Sequence, residues 1–218
     1  MSLSRRSLLG ASVLMLATRA ARALDRGAPV SDLLARVASA RAPVRTLRGP
    51  FTQTRTIGLL STDVRSVGSL TLVRPDRLRW RLDAPDDITF WVGPEGLAYR
   101  SAHGQGRMPA TSARMAGALE DLHDLLGGDL SRLSERWSLT VLRDDASGAE
   151  IEALPRAADA SAGGASAVAR RLRFALAPDL VRPTRVLLVE GDHDRTAIDF
   201  GDLAVNGLID ESSMRPPG

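Results

Sequence analysis

Residues 64–73 read Val64-Arg65-Ser66-Val67-Gly68-Ser69-Leu70-Thr71-Leu72-Val73, and after four intervening residues comes Leu78-Arg79-Trp80-Arg81-Leu82. Both runs change polarity with period two. In the second, Leu78, Trp80 and Leu82 point one way and Arg77, Arg79 and Arg81 the other. That alternation marks strands with one dry and one wet face. Upstream, Phe51–Ile57 alternates in the same way. Downstream, Ile88–Val92 and Leu97–Arg100 flank Gly93-Pro94-Glu95-Gly96, a hairpin signal. Five more strands are expected at Trp137–Leu142, Ala149–Leu154, Arg171–Leu176, Arg185–Glu190 and Thr196–Phe200, with Gly191-Asp192-His193-Asp194 turning between the last two.

Two segments depart from period two. Ser31 can cap a short helix, with Asp32 at its positive end and Leu33, Leu34, Val37 and Ala38 on one face. Ser112 can cap a second helix, in which Met115, Leu119, Leu122 and Leu126 recur every three or four residues before Gly127-Gly128. Asp129–Glu135 continues the helical signal. The fold class is therefore mainly β (α+β): antiparallel strands in sequence, one helix before them and a helical insertion among them. A large sheet with helices along one face or mouth satisfies that order. Aromatics are 4% of residues, so Leu, Val and Ala fill the interior, an arrangement open both to a cavity and to tight packing.

At the N-terminus, Ser4-Arg5-Arg6-Ser7-Leu8-Leu9 leads into an apolar run ending at Ala17 and then to Ala21-Arg22-Ala23. The run is shorter than the roughly 20 residues that span a bilayer. A basic start, a short apolar stretch and an A-x-A site read as a cleaved signal peptide over residues 1–23. The twin arginines resemble a twin-arginine export signal, with the general secretory route left open. Residues 24–218 are then one exported domain of a size that buries a sizeable core. Ala157–Ala169 (AADASAGGASAVA) reads as a flexible loop tip.

Cleavage also changes the charge. The whole chain is +3, and the loss of Arg5, Arg6, Arg19 and Arg22 leaves −1, which argues against nucleic acid as a partner. Residues 36–81 hold ten arginines against Asp63 and Asp76, and residues 83–153 thirteen acids against six arginines. Solvated faces that pair in the fold account for this asymmetry better than a membrane patch.

Catalytic arrangements are not found. The chain has no cysteine, hence no thiol chemistry, no thiolate metal site, no disulfide and no lipid-attachment cysteine. His103, His123 and His193 stand in no metal-ligand spacing, and there is no nucleophile elbow or phosphate-cradling loop. His123 lies beside Asp121 and Asp124, and His193 between Asp192 and Asp194, where turn chemistry suffices. Gly104-Gln105-Gly106 reads as a loop. No catalytic residue, metal or cofactor is expected.

Phe51-Thr52-Gln53, then Gly68-Ser69-Leu70, then Arg74-Pro75-Asp76-Arg77-Leu78-Arg79-Trp80 together resemble the LolA family of periplasmic lipoprotein carriers. Pro85, the Gly93–Gly96 turn and Asp194–Phe200 extend the resemblance over most of residues 24–218. It implies an incomplete antiparallel β-barrel with a helical lid, monomeric and soluble in the periplasm of a Gram-negative envelope. The implied activity is chaperoning acylated lipoproteins or lipid from an inner-membrane lipoprotein-releasing ABC transporter to an outer-membrane receptor. Arg74 matches the family arginine that helps hold the lid shut. Leu78 stands where the family has an aromatic residue that handles the acyl chain, a departure, and Trp80 closes the same run. Met115, Leu119 and Leu122 are the candidate lid-helix lining, with plain core packing as the alternative. A lipid- or lipoprotein-sensing regulatory domain on the same half-barrel is the other functional reading.

Overall fold

The computed structural model describes residues 28–58, 62–108, 121–127, 130–156, 171–190 and 193–217. The expected signal peptide, the Ala157–Ala169 loop, Met115, Leu119 and the start of the second helix lie outside them. Helix α1, Ala28–Arg41, begins three residues before Ser31 and runs three beyond Ala38, so Ser31 lies inside its first turn rather than capping it. The described part of α2 covers residues 121–126, and α3 spans Leu130–Arg136.

The strands are β1 (Thr46–Ile57), β2 (Thr62–Val73), β3 (Arg77–Leu82), β4 (Ile88–Gly93), β5 (Gly96–Ser101), β6 (Gly104–Met108), β7 (Trp137–Asp145), β8 (Gly148–Pro155), β9 (Arg171–Leu176), β10 (Pro183–Val189), β11 (Arg195–Phe200) and β12 (Ala204–Val205). All ten predicted strands are present. The loop reading of Gly104-Gln105-Gly106 is corrected: these residues open β6, which pairs with β5 from Leu97↔Met108 to Ser101↔Gly104. Glycines and a glutamine carry no alternation, so composition concealed a strand that backbone pairing makes. β1 likewise starts five residues before Phe51, because Gly49 and Pro50 break the apolar pattern without breaking the ladder.

The order across the sheet is β6-β5-β4-β3-β2-β1-β11-β10-β9-β8-β7, with β12 pairing to β1. Every pairing is antiparallel. The strands β6 and β7 end the order, so the sheet is an incomplete barrel, as expected. β1 and β11 close the two halves of the chain against each other through Phe51↔Phe200 and Gln53↔Ile198.

Register sets which side chains share a face. Leu72, Leu78 and Val92 lie in one row, and Leu70, Trp80 and Phe90 in the next. On the other half, Ile198, Val186, Phe174 and Ile151 form a matching row. These residues belong to one apolar core together with Leu33 and Val37 of α1, the leucines of α2 and α3, and Trp137. The face under the helices is called the inner face below. After β12, a short 3₁₀ turn at Glu211–Met214 lies against the other, outer face of β3 and β4. Among the described residues, no helix is long and apolar enough to cross a membrane.

Candidate functional site

The middle of the inner face is aromatic. Phe51 stacks on Trp80 with ring centroids 3.8 Å apart, and Phe200 meets Trp80 edge-on at 6.4 Å. Phe51 and Trp80 belong to β1 and β3, so they meet across β2, at Gly68. A Cβ there would lie 2.0 Å from the Arg81 carbonyl oxygen and 2.8 Å from the Phe51 ring. Glycine is what lets the two rings close over the strand between them. The three runs that carried the resemblance, around Phe51, Gly68 and Trp80, are thus one packing unit.

Over this surface lie leucines. Leu122, Leu125 and Leu126 of α2, Leu130 and Leu133 of α3, and Leu33 and Val37 of α1 are all buried in the same core. The described part of the helical cover therefore packs its leucines onto the inner face. Its approach is close: a Cβ on Gly127, just after α2, would fall 1.9 Å from Leu72 Cδ2.

Polar bonds fasten the cover at its edges. Arg36 of α1 makes a bidentate pair with Asp144 at the end of β7, at 2.6 and 3.1 Å. Arg41, the last residue of α1, is 2% exposed and donates from Nη2 to the Leu125 carbonyl at 2.8 Å. Its Nε and Nη1 are buried without a hydrogen-bond partner among the described residues. Burial, reinforced by the charge of Arg74, pushes this guanidinium down from its ordinary value to about 10. Arg74 in turn donates from Nη1 to the Arg41 carbonyl at 2.5 Å. A relay therefore runs from the end of β2 through the end of α1 to α2.

A second fastening joins α2 to α3. Arg136 Nη2 donates to Asp121 at 2.7 Å and to Asp124 at 3.0 Å, with His123 Nδ1 3.7 Å from Asp124. Burial raises the Asp121 carboxyl above its usual range despite the Arg136 bond. Burial acts the same way on Asp124, but the Arg136 bond, with the nearby His123 ring, outweighs it and holds that carboxyl below its usual value. The two carboxylates together likewise hold Arg136 above its own usual value against burial.

The site residues expected from sequence fall as follows. Leu78 is fully buried and Trp80 nearly so, both on the inner face. Leu122 is buried beneath the cover. Arg74 reaches α1 rather than the described part of α2; the described contact to α2 is made by Arg41. Arg41 was not singled out, because the apolar face read from the sequence was Leu33, Leu34, Val37 and Ala38. Carried on to its true end, the i, i+4 steps Leu33, Val37, Arg41 place that arginine on the buried stripe. His103 and His193 are exposed, and among the described residues no cluster of three His, Asp or Glu could hold a metal ion.

An open antiparallel half-barrel with an apolar inner face and a fastened helical cover is the class of molecule these features define. No protein-family model matches the chain, and no curated protein does. Solved structures do. An uncharacterized conserved protein from Thermus thermophilus shares 6% identity over 87% of this chain and 94% of that one, with a TM-score of 0.52, a likeness of fold alone. A DUF1329 family protein from Desulfovibrio piger is 10% identical over 84% and 95% of the two chains (TM-score 0.49). A LolA superfamily protein from Nitrosomonas europaea is 8% identical over 85% and 97% (TM-score 0.46).

Proposed function

We propose that the protein is an exported, non-catalytic carrier that shelters the acyl chain of a lipoprotein or lipid on the inner face of its half-barrel. The carrying observation is that this face is apolar and covered by leucine-bearing helices fastened through Arg41 and Arg136. An acyl chain would take the place of the cover leucines once α2 and α3 lift.

The energies of that exchange are comparable. Sheltering a sixteen-carbon chain gains about 12 kcal/mol at roughly 0.8 kcal/mol per methylene. Exposing Leu122, Leu125, Leu126, Leu130 and Leu133 costs about 7–15 kcal/mol at roughly 1.5–3 kcal/mol each. A near balance is what a carrier needs, because it must load and then let go. Transfer in the periplasm from an inner-membrane ABC transporter to an outer-membrane receptor is the traffic this reading implies.

Native mass spectrometry of the protein purified from its own cell envelope tests the proposal, followed by incubation with a palmitoylated peptide. The expected result is co-purifying acylated cargo, or uptake of the palmitoylated peptide but not of the same peptide without its chain. Absence of both, or equal uptake of the two peptides, refutes it.

A further inference from the structure

A second buried apolar cluster lies on the opposite side of the sheet. Trp91, Ala98 and Met214 are buried, yet they stand outside the core formed with the helices. The register gives the reason. Trp91 pairs with Arg79 on one side and Ala98 on the other, out of phase with the inner residues Leu78, Val92 and Leu97. The segment after β12 covers this outer cluster as a strap. Trp91 Nε1 donates to the Ser213 carbonyl at 2.9 Å, Arg107 Nη2 donates to the Pro217 carbonyl at 2.9 Å, and Arg77 pairs with Glu211 at 2.9 Å.

Between the strap and the sheet lies a cavity of about 340 Å³. Its walls include the apolar Trp91, Ala98, Met214 and Pro216, and also three arginines, Arg77, Arg107 and Arg215. Glu95 is the acid among the lining residues, and it stands 3.9 Å from Arg107 and 88% exposed, which makes it a weak counter-charge. Arg77 is already paired with Glu211, so the cationic character around the aromatic floor rests on Arg107 and Arg215. The volume lies near the lower end of the range for small-molecule pockets, roughly 300–1,000 Å³. It equals roughly eleven waters at about 30 Å³ each, a space for a compact body rather than a long chain.

We propose that this outer cavity binds a small organic monoanion with a flat apolar body, such as an aryl carboxylate or sulfonate. The ring would lie against Trp91 and Met214, and the acid would take charge-assisted bonds from the arginines at the rim. The site is separate from the inner face and does not depend on the carrier reading.

Titration calorimetry with 2-naphthoate, set beside neutral 2-naphthalenemethanol, tests the site. The full chain is expected to bind naphthoate one to one and the alcohol at least about tenfold more weakly, the scale of one lost charge-assisted bond. Arg215→Glu, a change on the exposed strap, is expected to weaken naphthoate about tenfold or more without moving the melting temperature. Ala98→Leu, which fills the cavity floor, is expected to abolish binding. No binding below about 1 mM, equal affinity for the alcohol, or affinity unchanged by Arg215→Glu overturns the proposal.

Discussion

Replacing Arg41 with methionine separates two accounts of the cover. Arg41 is a buried guanidinium with one described hydrogen bond, to Leu125, and two buried donors without a partner among the described residues. Its fall to about 10 corresponds to about 3 kcal/mol disfavouring the charged form. Against this stands one charge-assisted bond, worth about 1.5–3 kcal/mol including the cost of leaving the Leu125 carbonyl unpaired. Methionine keeps the apolar stem and removes the charge. Arg41→Met is therefore expected to be neutral or to stabilise by about 1 kcal/mol, a melting temperature unchanged or higher by roughly 2–4 °C for a protein of this size. Removing one member of a satisfied buried pair would instead cost about 3–5 kcal/mol. A fall of more than about 5 °C in thermal unfolding, followed by circular dichroism, refutes the reasoning.

The same substitution bears on the proposed cycle. In the wild type, lifting α2 lets the Arg41 charge rehydrate, which favours opening. With methionine that help is lost, and opening becomes harder by a few kcal/mol. Uptake of a palmitoylated peptide by Arg41→Met is then expected to weaken by about tenfold or more although the fold is no less stable. Stability and uptake moving in opposite directions is the signature; uptake equal to wild type counts against a gating role for the relay.

Three further outcomes are expected. Arg74→Leu removes the bond to the Arg41 carbonyl and should lower stability by about 1.5–3 kcal/mol in denaturant unfolding, with faster hydrogen exchange at the end of α1. Gly68→Ala drives a methyl into the Arg81 carbonyl and the Phe51 ring, so a loss of about 1–3 kcal/mol and of the near-ultraviolet aromatic signal is expected, whereas Gly93→Ala, where the nearest atom is 4.0 Å away, should be mild. The Asp121 and Asp124 carboxyls should respond to acid with opposite sign. Asp121, raised in the fold, costs stability while ionised, and that cost disappears as pH falls through its folded value. Asp124, depressed in the fold, contributes stability above its unfolded value near 4 and loses it as pH falls through its folded value. Melting curves should show Asp121→Asn equal to or above wild type at pH 7 and Asp124→Asn below it; the reverse order would contradict the assignment.

Most of the sheet was legible because period two survives wherever a strand has one dry face. Leu78, Trp80 and Leu82 alternate with arginines, and burial follows that alternation residue by residue. β6 was not legible, since Gly104-Gln105-Gly106 offers no side-chain contrast and is placed by its ladder to β5. Arg41 was hidden for a different reason. A charged residue at the end of a helix is read by default as a solvated terminus, favourable to the helix dipole. Its place on the Leu33–Val37 stripe emerges only once that default is set aside, and its bond to the Leu125 carbonyl is tertiary. The outer cavity is also invisible locally, because Trp91 and Met214 are more than a hundred residues apart and are brought together only by the strap.

The stacking of Phe51 on Trp80 across Gly68 bears on how a cover can detach without unfolding the sheet. These rings fasten β1, β2 and β3 to one another, and Phe200 adds β11 through its edge contact with Trp80. Those ring-to-ring contacts are made between strands of the sheet. The helices hold on through leucines and through the Arg36–Asp144 pair, while Arg41 and Arg136 tie α1 to α2 and α3 to α2. On the proposed carrier reading, the cover would lift at a cost set by its leucines while these ring contacts and the strand ladders keep the half-barrel in shape. An acyl chain would then meet a preformed apolar surface rather than have to organise one.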